Sequence, residues 1–449
     1  MQRLKSEIDG SAPDRSGVST QPPAAVKRLA FALVTLAISL SASLLLAEGI
    51  FRVAGVKAVP PHYGDAALGL GSQIRMDETF TFPEYGGKLR MRTNNMGFHQ
   101  DGDTLVMKRP GTYRIAFVGD SQTAGECTNA ENYPNIFSKK LGAEGGRDKY
   151  EVINAAVGRY SPYQYYIRTV RDVIPLKPDH IIVGLYLGND YMDLIRHDDR
   201  PYLTIESGGE IRSHSPDFVI FDDPTKPRSL LASTRVYSVV RSTLGPGVYY
   251  QYTRARILTE CFSGPTRHFW DVGEYMMEVK RLSDISLGLM TQSLLQNVWF
   301  RHFPETYKTA STLNRHVAAL FKELCDRNGI KLTYVLIPTK VRVEPEDTAQ
   351  IFAKLAVRDR TLTPARLSAF EDEIAADVLQ ICDDLHIDAI DLRSGMVNGK
   401  AGVRRYYPEE MHLNPAGNQL IADILVREMG QMRGSGLVDA SLRSAQVLK

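Results

Sequence analysis

Residues Tyr113-Arg114-Ile115-Ala116-Phe117-Val118 form an apolar run that stops at Gly119-Asp120-Ser121, after which polar residues lead into a helical pattern. A run of this kind reads as a buried strand, and its abrupt end puts Ser121 where a strand hands over to a helix. In sheets covered by helices, the carboxyl ends of the strands open onto a crevice. A serine on such a turn has an exposed hydroxyl and a backbone N–H directed at a bound oxygen.

The same alternation continues downstream. Val152-Ile153-Asn154-Ala155 reads as a second strand, 165–174 as a helix opened by Ser161-Pro162, and 181–187 as a third strand. The rhythm is lost between Tyr191 and Pro304. There Tyr202-Leu203-Thr204-Ile205 and Glu210-Ile211-Arg212 flank Ser207-Gly208-Gly209 as a hairpin. An insertion this long reads as a lid or a substrate wall. Rhythm resumes with a helix over 306–327, a strand over 332–337, a helix over 364–385, a strand over 387–392 and a helix over 415–429. Strands alternating with helices predict a parallel sheet with helical layers.

Ahead of this body the chain has a different character. Residues 1–28 are polar and read as a cytoplasmic tail, whereas 29–47 contain no charged residue. At 1.5 Å per residue that run reaches roughly 28 Å, about the hydrocarbon thickness of a bilayer. A membrane anchor is expected over 29–48, with a cleavable signal peptide as the competing reading. Arg3, Lys5, Arg15, Lys27 and Arg28 precede the run, and Arg52 and Lys57 are the nearest basic residues after it. The excess on the amino-terminal side leaves the body outside the cytoplasm. Residues 49–112 read as a membrane-proximal segment packing on the edge of a main domain at 113–430, which carries the insertion 191–304 and is followed by a tail at 431–449. Within that segment 88–93 alternates like a strand and Asn94-Asn95-Met96-Gly97 reads as a turn.

Composition excludes some functions. With 54 basic and 52 acidic residues the net charge is +2, which creates no field to gather nucleic acid. Cys127, Cys261, Cys325 and Cys382 show no C-x-x-C spacing, so a zinc ribbon or a thioredoxin motif is excluded. Cys127 and Cys261 fall in loop-like sequence where a bridge is conceivable, and Cys325 and Cys382 sit near helix ends as buried thiols. His197-Asp198-Asp199 resemble metal ligands, but adjacent residues on one loop rarely face one ion, so no metal site is expected there. Arg75, Lys88, Arg90 and Arg92 read as a solvated charged face.

Three short stretches complete a constellation around Ser121. Gly158 follows the second strand and Gly188-Asn189-Asp190 follows the third, so both lie at the sheet edge that carries the serine. The N–H groups of Ser121 and Gly158 and the side-chain amide of Asn189 can converge on one oxygen, which is the arrangement of an oxyanion hole. Near the carboxyl terminus Glu409 and His412 are three residues apart, so the carboxylate can orient the imidazole. The histidine can then take the serine proton as a general base.

These stretches resemble the blocks of the SGNH, or GDSL, hydrolase family. Gly119-Asp120-Ser121 matches its Gly-Asp-Ser block, Gly158 its glycine block, Gly188-Asn189-Asp190 its Gly-x-Asn-Asp block, and Glu409 with His412 its Asp-x-x-His block. The resemblance covers about 113–430. It implies a flavodoxin-like three-layer α/β/α fold around a central parallel sheet. It also implies a serine esterase in which Ser121 attacks, His412 moves the proton, Glu409 orients it, and Ser121, Gly158 and Asn189 build the oxyanion hole, with no cofactor and no metal. There are two departures: glutamate stands for aspartate, which bears on the third triad member and not on the nucleophile, and the interval from Ser121 to His412 is long, which suggests a decorated subgroup. That subgroup is similar to membrane-anchored bacterial SGNH proteins and, more loosely, to alginate O-acetyltransferase-like enzymes. The implied substrate is an O-acyl ester, with acetyl the leading acyl group, on an envelope or exported carbohydrate. Transfer of the acyl group to a sugar hydroxyl, and a non-catalytic envelope scaffold, stand as alternatives.

Overall fold

The apolar run and its counterparts downstream are strands, and they lie side by side. In the computed structural model, which describes residues 24–56, 64–65, 70–71, 77–82, 87–145, 149–195, 201–214, 234–237, 239, 296, 300, 304–346, 363–398, 402–408 and 411–434, one five-stranded sheet dominates. Its strands are β1 (Tyr113–Gly119), β2 (Tyr150–Asn154), β3 (His180–Tyr186), β4 (Lys331–Ile337) and β5 (Asp388–Asp391), in the order 2-1-3-4-5. All four pairings are parallel. This is the flavodoxin-like order, whose direction of growth reverses between β1 and β3 and leaves a crevice there.

Every residue of β1 and β3 is buried. Both faces are therefore covered, which explains why β1 reads as a continuous apolar run rather than an alternating one. Successive side chains still point to opposite faces. Ile115 and Phe117 pack with Tyr133, Phe137 and Leu141 of helix Tyr133–Gly145 and with Ile421 and Leu425 of helix Pro415–Gly434. Ala116 and Val118 pack on the other side with Leu313, Val317 and Phe321 of helix Pro304–Asn328 and with Ile374, Val378 and Ile381 of helix Pro364–Asp384. The Phe117 ring meets Tyr133 and Phe137 edge-on, with centroids 5.6 and 5.5 Å apart. Each such pair adds about 0.5–1.5 kcal/mol beyond its buried area.

Predicted element boundaries shift by small amounts, and one helix departs more. Ser161 caps helix Pro162–Arg168 with a capping box formed with Gln164. The regular α geometry expected over 165–174 ends at Arg168, followed by a π turn at Thr169–Val173 and a 3-10 turn at Ile174–Leu176. Pro175 offers no N–H to the helical ladder, so the last turns rearrange. Regular structure also persists beyond Tyr191, through helix Asp190–Ile195. The Tyr191 hydroxyl donates to Asp377 at 2.7 Å and accepts from Asn314 at 3.1 Å, so this short helix is tied to the helical layer over the sheet. Inside the expected insertion, Gln296 and Phe300 are buried, and Gln296 bonds both Met192 N–H and the Leu187 carbonyl. The hairpin pairs Tyr202–Ile205 with Ile211–His214.

Gly87–Arg92 pairs antiparallel with Asp77–Phe82, and the Asn94 turn closes with Gly97 at φ 71°. His99 N–H then bonds the Asn154 carbonyl at 3.0 Å, placing this segment against β2, an edge strand of the sheet. Arg90 forms two 2.7 Å bonds to Asp77, and Arg92 pairs with Asp77 and Asp101 on the surface. Cys127, Cys325 and Cys382 are free, buried thiols, and burial pushes the last two up to about 12. Arg75, His197, Asp198, Asp199 and Cys261 lie outside the described residues.

A second unit contains residues 1–60 and 229–250. Within it helix Ala24–Val53 is long and apolar enough to cross a membrane, and its large side chains are exposed along its length. Its Glu48 accepts hydrogen bonds from the Arg235 and Val236 N–H groups and pairs with Arg52.

Candidate active site

The turn at the end of β1 is built by Asp120. Its carboxylate caps the short helix α1 (Ser121–Ala124) by accepting from Gln122 N–H at 2.9 Å. Such a cap is worth about 1 kcal/mol. Ser121 therefore occupies the first helical position, where a backbone N–H has no intrahelical acceptor. Among the described residues the N–H groups of Ser121 and Gly158 have no acceptor. Burial pushes the Asp120 carboxyl up to about 7, against the pull of the Gln122 N–H and the charge on His412.

Helix α1 lies unusually close to the sheet. Thr123 is fully buried, and its Oγ1 accepts from the Tyr133 hydroxyl at 2.9 Å. A Cβ on Gly119 or on Gly184, paired side by side in β1 and β3, would run into that same Oγ1. Two glycines thus make room for the helix that carries Ser121, and nothing in their local sequence signals it.

Ser121 Oγ lies 2.7 Å from His412 Nε2 across a sequence separation of 291 residues. The serine is half-buried and the histidine is 8% exposed, so most of the pair is withdrawn from solvent. An imidazole nitrogen at this distance can take the hydroxyl proton as the oxygen attacks an electrophile, with the ring's other nitrogen then carrying its own proton. A Cβ added to Gly158 would stand 3.6 Å from Ser121 Cβ, so the Gly158 backbone borders the nucleophile, and a larger residue there would narrow the approach to it. Arg159 follows with φ 68°, a left-handed conformation rare for a long side chain.

His412 is carried by a loop closed at its base. Tyr406 and Leu413 form an antiparallel bridge, and Tyr407 N–H bonds the His412 carbonyl at 3.0 Å. The buried ammonium of Lys340 donates to the carbonyls of Tyr407 and Pro408, both at 2.5 Å. Glu409 and Glu410, the next two residues, lie outside the described residues. Gln122 reaches this loop from the serine side, donating to the Met411 carbonyl and accepting from Leu413 N–H, each at 3.1 Å. Nothing local marks a glutamine beside a serine as a partner of residues 289 and 291 positions away.

Asn189 and Asp190 open helix Asp190–Ile195 at the same edge of the sheet, after β3. Asn189 Nδ2 donates one hydrogen to Asp193 at 2.7 Å, which leaves its second hydrogen for another acceptor. Asp190 is fully buried, with one oxygen accepting from the Tyr165 hydroxyl and the other from Tyr186 N–H, both at 2.8 Å. Burial, then the charge of Asp120, hold its carboxyl well above the usual range. Asp190 is thus a strut between β3 and helix Pro162–Arg168.

No family model and no curated protein matches the chain. Among solved structures it is similar to an acetyl xylan esterase at 14% identity over 70% of this chain and 98% of that one, with a TM-score of 0.33. An acetylxylan esterase from Geobacillus stearothermophilus is 12% identical over 72% and 97% of the two chains, with a TM-score of 0.35. An alpha/beta hydrolase from the metagenome of Lake Arreo, Spain, is 12% identical over 72% and 98%, with a TM-score of 0.32. Likeness at this level leaves the chemistry to the side chains themselves.

Proposed function

We propose that the protein is a serine ester hydrolase of the SGNH type, anchored in the cytoplasmic membrane with its body outside, that removes O-acyl groups from an envelope or exported carbohydrate. The observation that carries the hydrolase reading is the 2.7 Å approach of His412 Nε2 to Ser121 Oγ at the carboxyl edge of β1. His412 takes the Ser121 proton while Oγ adds to the ester carbonyl. The oxyanion is received by the N–H groups of Ser121 and Gly158 and by the second Nδ2 hydrogen of Asn189. Collapse expels the alcohol, protonated by His412, and water hydrolyses the acyl-enzyme by the reverse sequence. Glu409 is assigned the orienting role on the imidazole from the Glu-x-x-His spacing. Acetyl esters of sugars are the favoured substrates on the four-block resemblance.

The test is acylation. The full chain, purified in detergent and mixed with p-nitrophenyl acetate, should gain one acetyl group on Ser121 by quenched-flow mass spectrometry. The Glu409→Gln variant should acylate about tenfold more slowly or worse, and Glu410→Gln near the wild-type rate. Acetyl on another residue, or none, overturns the mechanism.

Anchoring rests on the apolar helix and the basic residues that precede it. The chain should stay in the membrane fraction after a high-salt wash, and a reporter that works only outside the cytoplasm should be active when fused after Lys449. Activity from a cytoplasmic reporter alone reverses the orientation.

A further inference from the structure

The two peptide groups that flank His412 are held by one side chain, and that side chain belongs to the residue next to Ser121. Gln122 is 1% exposed. Its Nε2 donates to the Met411 carbonyl and its Oε1 accepts from Leu413 N–H, so one planar amide brackets the imidazole from both sides along the chain. The base of this clamp is itself fixed. Gln122 N–H is bound by Asp120, Thr123 is bound by Tyr133, and Asn154 Nδ2 donates to the carbonyls of Thr123 and Ala124 at 3.2 Å. Other bonds reach the loop further from the imidazole: Lys340 donates to the Tyr407 and Pro408 carbonyls, the Tyr407 hydroxyl donates to the Glu126 carbonyl at 3.1 Å, and Asn418 Nδ2 donates to the Leu413 carbonyl.

We propose that Gln122 is a positioning residue for the Ser121–His412 pair, its amide setting the distance over which the serine proton is transferred. This rests on the hydrolase reading. The position needs a donor and an acceptor in one fork, so neither an apolar residue nor an ionised carboxylate can replace the amide. A displacement of about 1 Å at a reacting pair costs on the order of 10²-fold in rate. Nucleophile and clamp are consecutive residues on one capped turn, so any motion of that turn carries the base with the nucleophile and keeps the pair in register.

The test uses the full chain in detergent with p-nitrophenyl acetate, at temperatures well below each variant's melting point. Gln122→Met keeps the length and loses both bonds; kcat should fall roughly 10- to 10²-fold with KM changed about twofold or less. Gln122→Glu supplies the second readout. Protonated, its carboxyl offers an O–H to Met411 and a carbonyl to Leu413; ionised, it has no donor and faces the Met411 carbonyl with a charge. Its kcat relative to wild type should therefore rise as the pH is lowered through the carboxyl titration. A tie that only supports the fold would lower the melting point and leave kcat and this ratio flat. Ser121→Ala is run alongside. If it is inactive while Gln122→Met keeps wild-type kcat, the clamp is overturned and the hydrolase reading stands. If Ser121→Ala retains wild-type turnover, both fall.

Discussion

Ser121→Ala is expected to lower ester turnover about 10⁴-fold or more while leaving the melting point within a degree or two of wild type. The loss is large because serine and histidine act as one unit, and removing either forfeits nearly all of what they achieve together. The fold should tolerate the change because, among the described residues, the hydroxyl bonds only His412, and the side chain is half-buried. Asn189→Ala should behave differently in the same assay. On the proposed mechanism it deletes one of three oxyanion donors, so kcat should drop roughly 10²- to 10³-fold with KM nearly constant, since that bond strengthens only as charge develops. Wild-type turnover from Ser121→Ala would remove Ser121 as the nucleophile, and wild-type envelope function from the inactive variant would favour the scaffold alternative.

The second large effect is on stability. Gly184→Ala puts a methyl group against Thr123 Oγ1 and 2.8 Å from the Tyr133 hydroxyl, inside a hydrogen-bonded contact with no room to yield. Overpacking of this kind costs about 1–3 kcal/mol, and the upper end is expected because strand, helix and aromatic ring all converge there. Chemical denaturation should show the midpoint falling without a change of slope. Activity should fall too, since the helix that must shift is the one that begins with Ser121. A double variant, Gly184→Ala with Thr123→Ala, removes the obstructing atom and should be less destabilised than the two single losses added together. Strict additivity would mean the strain is relieved elsewhere.

Local sequence determined the strands, their approximate ends and the edge of the sheet where the polar motifs cluster. Burial on both faces writes a continuous apolar run, as in β1 and β3, and a Gly-Asp-Ser or Gly-Asn-Asp stop marks the carboxyl end of each. Capping chemistry at Ser161-Pro162 is equally local. Periodicity weakened where side chains serve distant partners: Tyr191 looked like the start of irregular chain because its bonds go to Asp377 and Asn314. Only the tertiary structure decided that β1 and β3 are neighbours, that His412 returns to Ser121 across 291 residues, and that Gln122 bridges the same gap. It also decided why Gly119 and Gly184 must be glycine. The physical reason is common to all four: backbone preference and burial period are set by a few neighbouring residues, whereas close contacts between remote segments arise only when whole layers have packed and their distances have become fixed.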